Sequence, residues 1–256
     1  MLVSVVTICY NDLSGLQSTI ESLRMQTYSN IEHIVVDGGS TDGTRDFLET
    51  EFRIPLWSSE ADRGRYDAMN KGMARSSGSL VWLMHAGDRF ASPRAVEQVV
   101  DAFEASITDG NSEFWGYGLA RKVRDGRVVG MFGDVPFSRT KYLAGGRPIP
   151  HQASFFSADM IKRVGSYSLT HGLGADQEYL MRCLCVRDPL VVADFVCDFD
   201  VSGAGSTRTV QAHFRDFSLA RRANGLRVHP IWWKSAGVQI YALARAYAGR
   251  LGALVA

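Results

Sequence analysis

Cysteine is scarce in this chain, and its spacing is unlike that of a metal site or a disulfide scaffold. Only four cysteines occur among 256 residues, at Cys9, Cys183, Cys185 and Cys197, and no two form a C-x-x-C pair. On a helix, Cys183 and Cys185 would point about 200° apart, because each residue turns the helix by about 100°. We therefore expect four small buried side chains in a reducing compartment, and no zinc site.

The chain also lacks the apolar segments and the charge excess that mark several other classes of protein. No apolar run reaches the roughly 18 residues that span a bilayer. Met1-Leu2-Val3 enters a predicted strand without the basic region of a signal peptide. These absences predict a cytoplasmic protein. The net charge of +1 gives no overall attraction to nucleic acid, so no nucleic-acid partner is expected.

Strand-like and helix-like segments alternate along the first 107 residues. Short apolar runs end at glycine or polar clusters, and each is followed by apolar residues at helical spacing. This alternation predicts a parallel sheet covered by helices on both faces. The predicted strands are Val3–Cys9, Ile31–Asp37, Pro55–Ser59 and Leu80–Met84, and the predicted helices are one opening with a capping box at Ser14–Gln17, then Asp42–Glu51, Tyr66–Ser77 and Pro93–Ile107.

The pattern changes after Phe114. Asp125-Gly126 separates Phe114–Arg124 from Arg127–Phe132, which predicts a β-hairpin with a primed turn. The following stretch, Pro136–Pro150, is rich in proline and glycine, and we expect it to form a mobile surface.

The segment Ile31–Thr44, IEHIVVDGGSTDGT, is the most informative in the chain. Its apolar run ends at Asp37, and Gly38 and Gly39 follow, which predicts a buried strand entering a tight loop. Open α/β sheets bind ligands outside the carboxyl ends of their strands. Asp37 can accept hydrogen bonds from a base or ribose there, while Gly38 allows a close backbone approach. The alternative is a turn that Asp37 merely caps.

A second acidic residue follows a second strand. The apolar run Leu80–Met84 ends in His85-Ala86-Gly87-Asp88. Two carboxylates at the ends of two parallel strands can share one crevice, with one serving a nucleotide and the other a divalent metal. The alternative role for Asp88 is to cap the loop before Pro93.

Six short segments occur in order between residues 6 and 182. They are VTICYND at Val6–Asp12, VVDGGSTDGT at Val35–Thr44, SEADRGRYDAMNKG at Ser59–Gly72, HAGD at His85–Asp88, PHQASFF at Pro150–Phe156 and GADQEYLMR at Gly174–Arg182. Together they resemble glycosyltransferase family 2, and most closely its colanic-acid-type exopolysaccharide branch. The resemblance implies the α/β GT-A fold of nucleotide-diphosphosugar transferases, with a mostly parallel central sheet flanked by helices. It implies a catalytic domain at 1–206, with a donor half at 1–107 and an acceptor half at 111–206.

The resemblance also implies a chemistry. An inverting, non-processive enzyme would move a sugar from a nucleotide-diphosphosugar, with UDP the expected nucleotide, to an acceptor in bacterial surface polysaccharide synthesis. Asp88 matches the last acidic position of the DXD-like motif and would bind Mn²⁺ or Mg²⁺ together with the donor diphosphate. His85 and Gly87 stand where the family often has acidic residues, so one protein carboxylate is expected. The implied donor-binding residues are Tyr10, Asp37, Gly38, Asp62, Arg65 and Asn70.

For the acceptor, Asp176 matches the family's catalytic carboxylate and is the predicted general base. Glu178 is the second candidate, and it would point about 200° away on a helix. By itself, an aspartate at a helix start is usually a cap. His151 and Gln152 match the family's His-Gln step and are predicted to touch the donor sugar or the acceptor, with a structural histidine as the alternative. Tyr10 is predicted to stack on the base, against the alternative of a core tyrosine.

The C-terminal residues 207–256 form a predicted basic, amphipathic helical tail. Within them, Pro230–Ala256 combines Trp232 and Trp233 with Lys234 and Arg245. This composition predicts attachment to an anionic membrane surface, on the inner face of the cell membrane, where a saccharide or lipid-linked acceptor would be reached. A helix packed on the domain, or a homodimer contact, is the alternative.

Two other functions are compatible with parts of the pattern. A sugar-phosphate nucleotidyltransferase would carry a glycine-rich loop after the first strand, where this chain has Cys9-Tyr10-Asn11-Asp12. A catalytically weak carbohydrate-binding or scaffold relative would have no need for Asp37, Asp88 and Asp176 together. Processive relatives carry a Gln-x-x-Arg-Trp motif and membrane spans, and neither occurs here.

Overall fold

A computed structural model describes residues 1–106, 112–201 and 209–227. Strands and helices alternate through most of these ranges, as the periodicity predicts. The strands are β1 (Val3–Cys9), β2 (Ile31–Asp37), β3 (Leu56–Ser59), β4 (Leu80–His85), β5 (Arg89–Phe90), β6 (Trp115–Arg124), β7 (Arg127–Phe132), β8 (Ser154–Ser157) and β9 (Leu190–Asp200). The helices are α1 (Leu13–Arg24), α2 (Thr44–Thr50), α3 (Arg65–Arg75), α4 (Ala95–Ser106), α5 (Arg139–Leu143), α6 (Ala158–Val164), α7 (Ala175–Val186) and α8 (Val210–Ala223), with 3₁₀ turns at His151–Ala153 and Gly172–Gly174.

All the described strands belong to one sheet in the order β3-β2-β1-β4-β8-β6-β9-β5, with β7 paired to β6. The first four strands are mutually parallel, as predicted. The second half is mixed, because β8 runs antiparallel to both β4 and β6, whereas β9 is parallel to β6. The predicted α/β architecture is therefore confirmed, and its parallel part lies in the first half of the chain.

The pleat of the strands divides the apolar core between the two faces of the sheet. Val6 and Leu83 pack beneath α3 and α7, whereas Val5 and Trp82 pack beneath α4. Gly72 allows α3 to lie against β1, since a Cβ at this position would come within 2.2 Å of Val6 Cγ1. This contact holds the second half of α3 against the middle of β1.

Several local predictions are corrected by the structure. The cap of α1 is Asp12, whose Oδ1 accepts a bond of 2.9 Å from the Gly15 amide, and Ser14 lies inside the helix. The stretch at Pro136–Pro150 is not merely a surface loop. It contains α5 and buries Tyr142, because the ring of Tyr142 packs edge-on against Phe217 of α8 at 5.2 Å.

The predicted hairpin is confirmed in its turn type. Asp125 and Gly126 have φ values of 50° and 72°, as a primed turn requires. Three cysteines are buried as predicted, whereas Cys185 is exposed. Of the predicted tail, only α8 and its flanks lie within the described residues, and Pro230–Ala256 lies outside them. No helix in the described ranges is both long enough and apolar enough to cross a bilayer.

Candidate active site

The loops that follow β1, β2 and β4 meet at one edge of the sheet. Strand register sets Cys9 beside Asp37, and Ile8 beside His85. The residues after these positions therefore emerge together, which is the place where open α/β sheets bind ligands.

Tyr10, Gly38 and Asp62 form one wall of this crevice. Tyr10 is 66% exposed, so the alternative of a core tyrosine is wrong. A Cβ on Gly38 would lie 2.6 Å from Asp62 Oδ2 and 3.3 Å from the Tyr10 ring. Only glycine leaves these two side chains in place, and it leaves an aromatic face and a carboxylate side by side. An aromatic ring beside a carboxylate suits a nucleoside.

Asp37 lies beneath this wall and is fully buried. Its carboxylate accepts bonds from the Ser40 amide at 3.0 Å and from Ser59 Oγ at 2.6 Å, and the Ser40 hydroxyl donates to it as well. These bonds hold the loop after β2 against the end of β3. Asp37 therefore does more than cap a turn, because it joins two strand ends under the crevice.

Asp88 lies at the centre of the crevice and is 2% exposed. Its Oδ1 accepts a bond of 3.0 Å from the amide of Asp200, at the end of β9. The pKa of the Asp88 carboxyl is raised to about 8, chiefly by burial and to a lesser extent by the nearby charge of Asp200, against the lowering effect of backbone hydrogen bonds. Asp88 therefore joins the two halves of the sheet, and its Oδ2 also accepts a bond of 3.4 Å from the His85 amide across its own turn.

The donor set for a metal is small. In the described ranges, no three histidine, cysteine or acidic side chains converge as a complete set of ligands. Asp200 Oδ2 would lie 3.2 Å from a Cβ on Gly87, and the absence of that Cβ leaves room beside Asp88. A hard divalent cation often takes one or two carboxylates and completes its shell with phosphate oxygens and water. The residues present fit a cation of that kind.

Two histidines cross the floor of the crevice. The rings of His85 and His151 are 6.3 Å apart, and His151 Nε2 shares a hydrogen bond of 2.7 Å with the Tyr167 hydroxyl. Burial lowers the pKa of both histidines, and the charge of Arg65 lowers it further, so both are neutral at pH 7. His85 Nε2 is buried and has no partner among the described residues. It is a polar group that a bound ligand can satisfy.

The predicted donor residue Asn70 has another task. Its Nδ2 donates to the Tyr167 carbonyl at 3.0 Å, and its Oδ1 accepts from the Tyr167 amide at 2.8 Å. The amide side chain is thus occupied at both ends, which argues against direct contact with a donor. Asn70 instead ties α3 to the segment that leads into α7.

Gln152 and His151 lie in the 3₁₀ turn before β8. Both are buried, and the Gln152 carbonyl accepts a bond of 2.7 Å from Trp82 Nε1. This bond fixes the turn to β4, next to His85. The predicted His-Gln step therefore lies beside the crevice, with the His151 ring 6.3 Å from that of His85.

Asp176 and Glu178 differ in exposure and in hydrogen-bond partners. Asp176 is partly exposed at the start of α7, and its charge is the second cause, after burial, of the raised pKa of Tyr142. Glu178 is buried and receives two bonds from Arg182, at 2.9 Å and 3.0 Å. Arg182 also donates to the carbonyls of Val164 and Ser166. Glu178 is thereby occupied in holding the preceding loop.

A model of glycosyl transferase family 2 matches residues 4–161, which include nearly all of β1, the loop after β2, and Asp88. The chain belongs to glycosyltransferase family 2. An uncharacterised glycosyltransferase of Mycobacterium tuberculosis is 46% identical over 216 residues, covering 84% of this chain and 80% of the relative. A PGL/p-HBAD biosynthesis glycosyltransferase of Mycobacterium bovis is 25% identical over 229 residues, covering 82% and 81%.

Solved structures agree on the fold of this family 2 glycosyltransferase. S. aureus TarS in complex with UDP-GlcNAc superposes with a TM-score of 0.66 at 16% identity, covering 97% of this chain and 73% of that one. The mannosyltransferase PcManGT from Pyrobaculum calidifontis, in complex with GDP-Man and Mn²⁺, gives 0.56 at 17% identity, covering 99% and 79%. The predicted GT-A fold is thereby confirmed, and the protein is an enzyme of the transferase class. Membership of glycosyltransferase family 2 excludes the nucleotidyltransferase alternative.

Two residues of the site, Asp200 and Tyr167, lie outside the sequence motifs and could not be found from them. Asp200 lies 112 positions after Asp88 in the sequence, and its backbone amide donates a hydrogen bond to the Asp88 carboxylate. Tyr167 bonds to both His151 and Asn70, and it stacks on Tyr179 with ring centroids 4.0 Å apart. Both contacts depend on strand order and helix placement, which local patterns do not encode.

Proposed function

We propose that this family 2 glycosyltransferase moves one sugar per encounter from a UDP-sugar to a saccharide or lipid-linked acceptor in bacterial surface polysaccharide synthesis, with inversion at the anomeric carbon. One observation carries the proposal. Asp88 accepts a bond of 3.4 Å from the His85 amide, the rings of His85, His151 and Tyr167 follow one another across the site, and the charge of Asp176 acts on Tyr167. This series of neighbours connects the acidic residue in the turn after β4 to the acidic residue at the start of α7.

The donor side of the proposal assigns nucleoside to the wall of Tyr10, Gly38 and Asp62. Arg65 would meet the diphosphate, because it opens α3 and its positive charge acts on Asp88 and both histidines. Arginine suits phosphate through its charge and fork geometry. UDP is supported by the UDP-GlcNAc complex of TarS, whereas the GDP-Man complex of PcManGT represents the competing choice.

Asp88 would hold Mn²⁺ or Mg²⁺ together with the donor diphosphate. The cation supplies neutralisation of the negative charge that develops on the leaving phosphate oxygen. Asp88 contributes a buried carboxylate, which an adjacent positive charge would keep ionised. His85 lies three residues before Asp88, and its unpartnered Nε2 would donate to an oxygen of the donor.

Asp176 would accept the proton of the attacking acceptor hydroxyl. It is partly exposed, and its Oδ1 is held by the Gln177 amide at 2.7 Å. Gln177 is in turn fixed by the Tyr142 hydroxyl at 3.0 Å and by its own bond to the Ile149 carbonyl at 3.2 Å. A base positioned in this way favours direct displacement, and displacement in one step inverts the anomeric centre.

The location of the enzyme follows from its acceptor. We place it at the inner face of the cell membrane as a peripheral protein, held by the basic tail at 207–256 on anionic lipid. The charge of the tail supports this placement, with eight basic residues and one acidic residue from Arg208 onward. A homodimer through the same segment is the competing arrangement. The division into a donor half at 1–107 and an acceptor half at 111–206 is part of the proposal.

Isothermal calorimetry of UDP binding tests the donor and metal assignments together. We expect UDP to bind more tightly with Mn²⁺ or Mg²⁺ than with EDTA, and Asp88→Asn to remove that difference. The matched control is Asp159→Asn, which removes an exposed acid far from the crevice and should keep the metal effect. Equal affinity with and without metal in the parent enzyme would contradict the metal role. Tighter binding of GDP would overturn the choice of nucleotide.

A further inference from the structure

The β6–β7 hairpin, residues 115–132, carries an exposed apolar edge. Val128, Val129 and Met131 of β7 are 60%, 55% and 58% exposed. Among the described strands, β7 pairs only with β6, so its outer edge is open. Large apolar side chains on an open edge strand mark a surface that meets another molecule, because they are otherwise a hazard for aggregation.

The same hairpin is strongly basic. Residues 121–127 contain Arg121, Lys122, Arg124 and Arg127, and Asp125 is the acidic residue among them. Arg121 is paired with Asp198 at 2.5 Å, whereas Arg124 and Arg127 are exposed on either side of the turn. Because the whole chain has a net charge of only +1, this positive charge is a local feature of the hairpin.

The hairpin rises directly beside the crevice. Val123 of β6 pairs with Asp200 of β9, and the Asp200 amide donates to Asp88 at 3.0 Å. The turn at Asp125 begins two residues beyond Val123, a distance of about 7 Å along an extended strand. Whatever the hairpin touches is therefore brought close to the proposed catalytic centre.

We propose that the β6–β7 hairpin docks on an anionic membrane surface, with Val128, Val129 and Met131 entering the head-group region and Arg124 and Arg127 contacting lipid phosphates. The combination of apolar and basic side chains is the one that interfacial segments use. A second copy of this chain would bring two basic hairpins together, and like charges oppose that pairing. The inference deepens the proposed function, because membrane docking would give a lipid-linked acceptor a direct route into the crevice. Only this consequence rests on the proposed function.

Fluorescence of a labelled hairpin in the full-length protein tests the contact. Cys185→Ser removes the exposed cysteine, and Val129→Cys then carries an environment-sensitive dye. We expect a blue shift and brighter emission with vesicles of phosphatidylcholine plus phosphatidylglycerol, and neither with phosphatidylcholine alone. The same dye at Lys162→Cys, on α6 at the opposite end of the sheet, should not respond.

A charge variant measures the basic contribution. Each arginine near an anionic surface is worth about fivefold in affinity, so Arg124→Gln/Arg127→Gln should raise the lipid concentration needed for half of the dye response by roughly 25-fold. Lys162→Gln/Arg163→Gln removes the same charge elsewhere and should leave the response unchanged. A silent dye at Val129 on vesicle-bound protein would overturn the proposal. So would a dye response that depends on protein concentration without vesicles, which would identify a second copy as the occupant. The assay contains no donor or metal, so its failure is distinct from failure of the proposed chemistry.

Discussion

Glu178 lies two residues from the proposed base, and its substitution should affect stability before chemistry. Glu178→Ala leaves the Arg182 guanidinium with only the carbonyl oxygens of Val164 and Ser166 as acceptors. Removing one partner of a buried ion pair costs about 3–5 kcal/mol. The side chain of Arg182 is 23% exposed and keeps those two carbonyls, so we expect the lower end, about 3 kcal/mol. In a chain of this size, that loss lowers Tm by about 6–12 °C.

The two substitutions should differ in the opposite way in their effect on sugar transfer, with Asp176→Asn reducing it and Glu178→Ala leaving it unchanged. Assayed well below its Tm, Glu178→Ala should keep kcat and KM close to those of the parent enzyme. Asp176→Asn should lower kcat by about 100- to 10,000-fold, the usual effect of losing a general base. Its Tm and UDP affinity should be unchanged, because asparagine keeps the oxygen that accepts from the Gln177 amide.

Thermal unfolding and initial-rate kinetics on the two variants decide between these roles. Glu178→Gln is the milder control, since it keeps the shape of the side chain and can still accept from Arg182. The reasoning is refuted if Glu178→Ala melts normally but loses transfer. Near-normal turnover in Asp176→Asn would refute it equally.

Three further outcomes are expected. If the exposed Tyr10 ring stacks on the base as proposed, Tyr10→Ala should weaken UDP binding by about 1–3 kcal/mol in calorimetry with an unchanged Tm; unchanged affinity would remove that role. Gly72→Ala should cost about 1–3 kcal/mol in denaturant unfolding, because its Cβ would overlap Val6; a neutral effect would show that α3 shifts freely. The raised pKa of Asp88 stabilises the metal-free fold at low pH, and this contribution should be lost as pH rises from about 4 to about 8. Asp88→Asn should flatten that part of the stability profile, and an unchanged profile would contradict the raised pKa.

Local patterns were sufficient to predict the parallel part of the sheet. Each of β1, β2 and β4 is a short apolar run bounded by polar or glycine residues, and burial on both faces requires such a run. The residues after these strands meet because carboxyl ends of parallel strands share one edge. The crevice with Tyr10, Gly38 and Asp88 was therefore predictable from the sequence. The order of the six motifs also indicated the family.

The exact task of each polar side chain was decided only by the tertiary structure. Asn70 belongs to a donor motif, yet it bonds the backbone of Tyr167, 97 residues away. Asp88 accepts from Asp200 because β9 lies beside β6 and meets β5, an arrangement that no local pattern encodes. In the sequence, Glu178 and Asp176 are both acidic residues at the start of one helix. Only the hydrogen bonds from Arg182 to Glu178 distinguish their roles. Hydrophobic periodicity determines which segments are strands and helices, whereas a hydrogen-bond partner depends on which of those segments become neighbours.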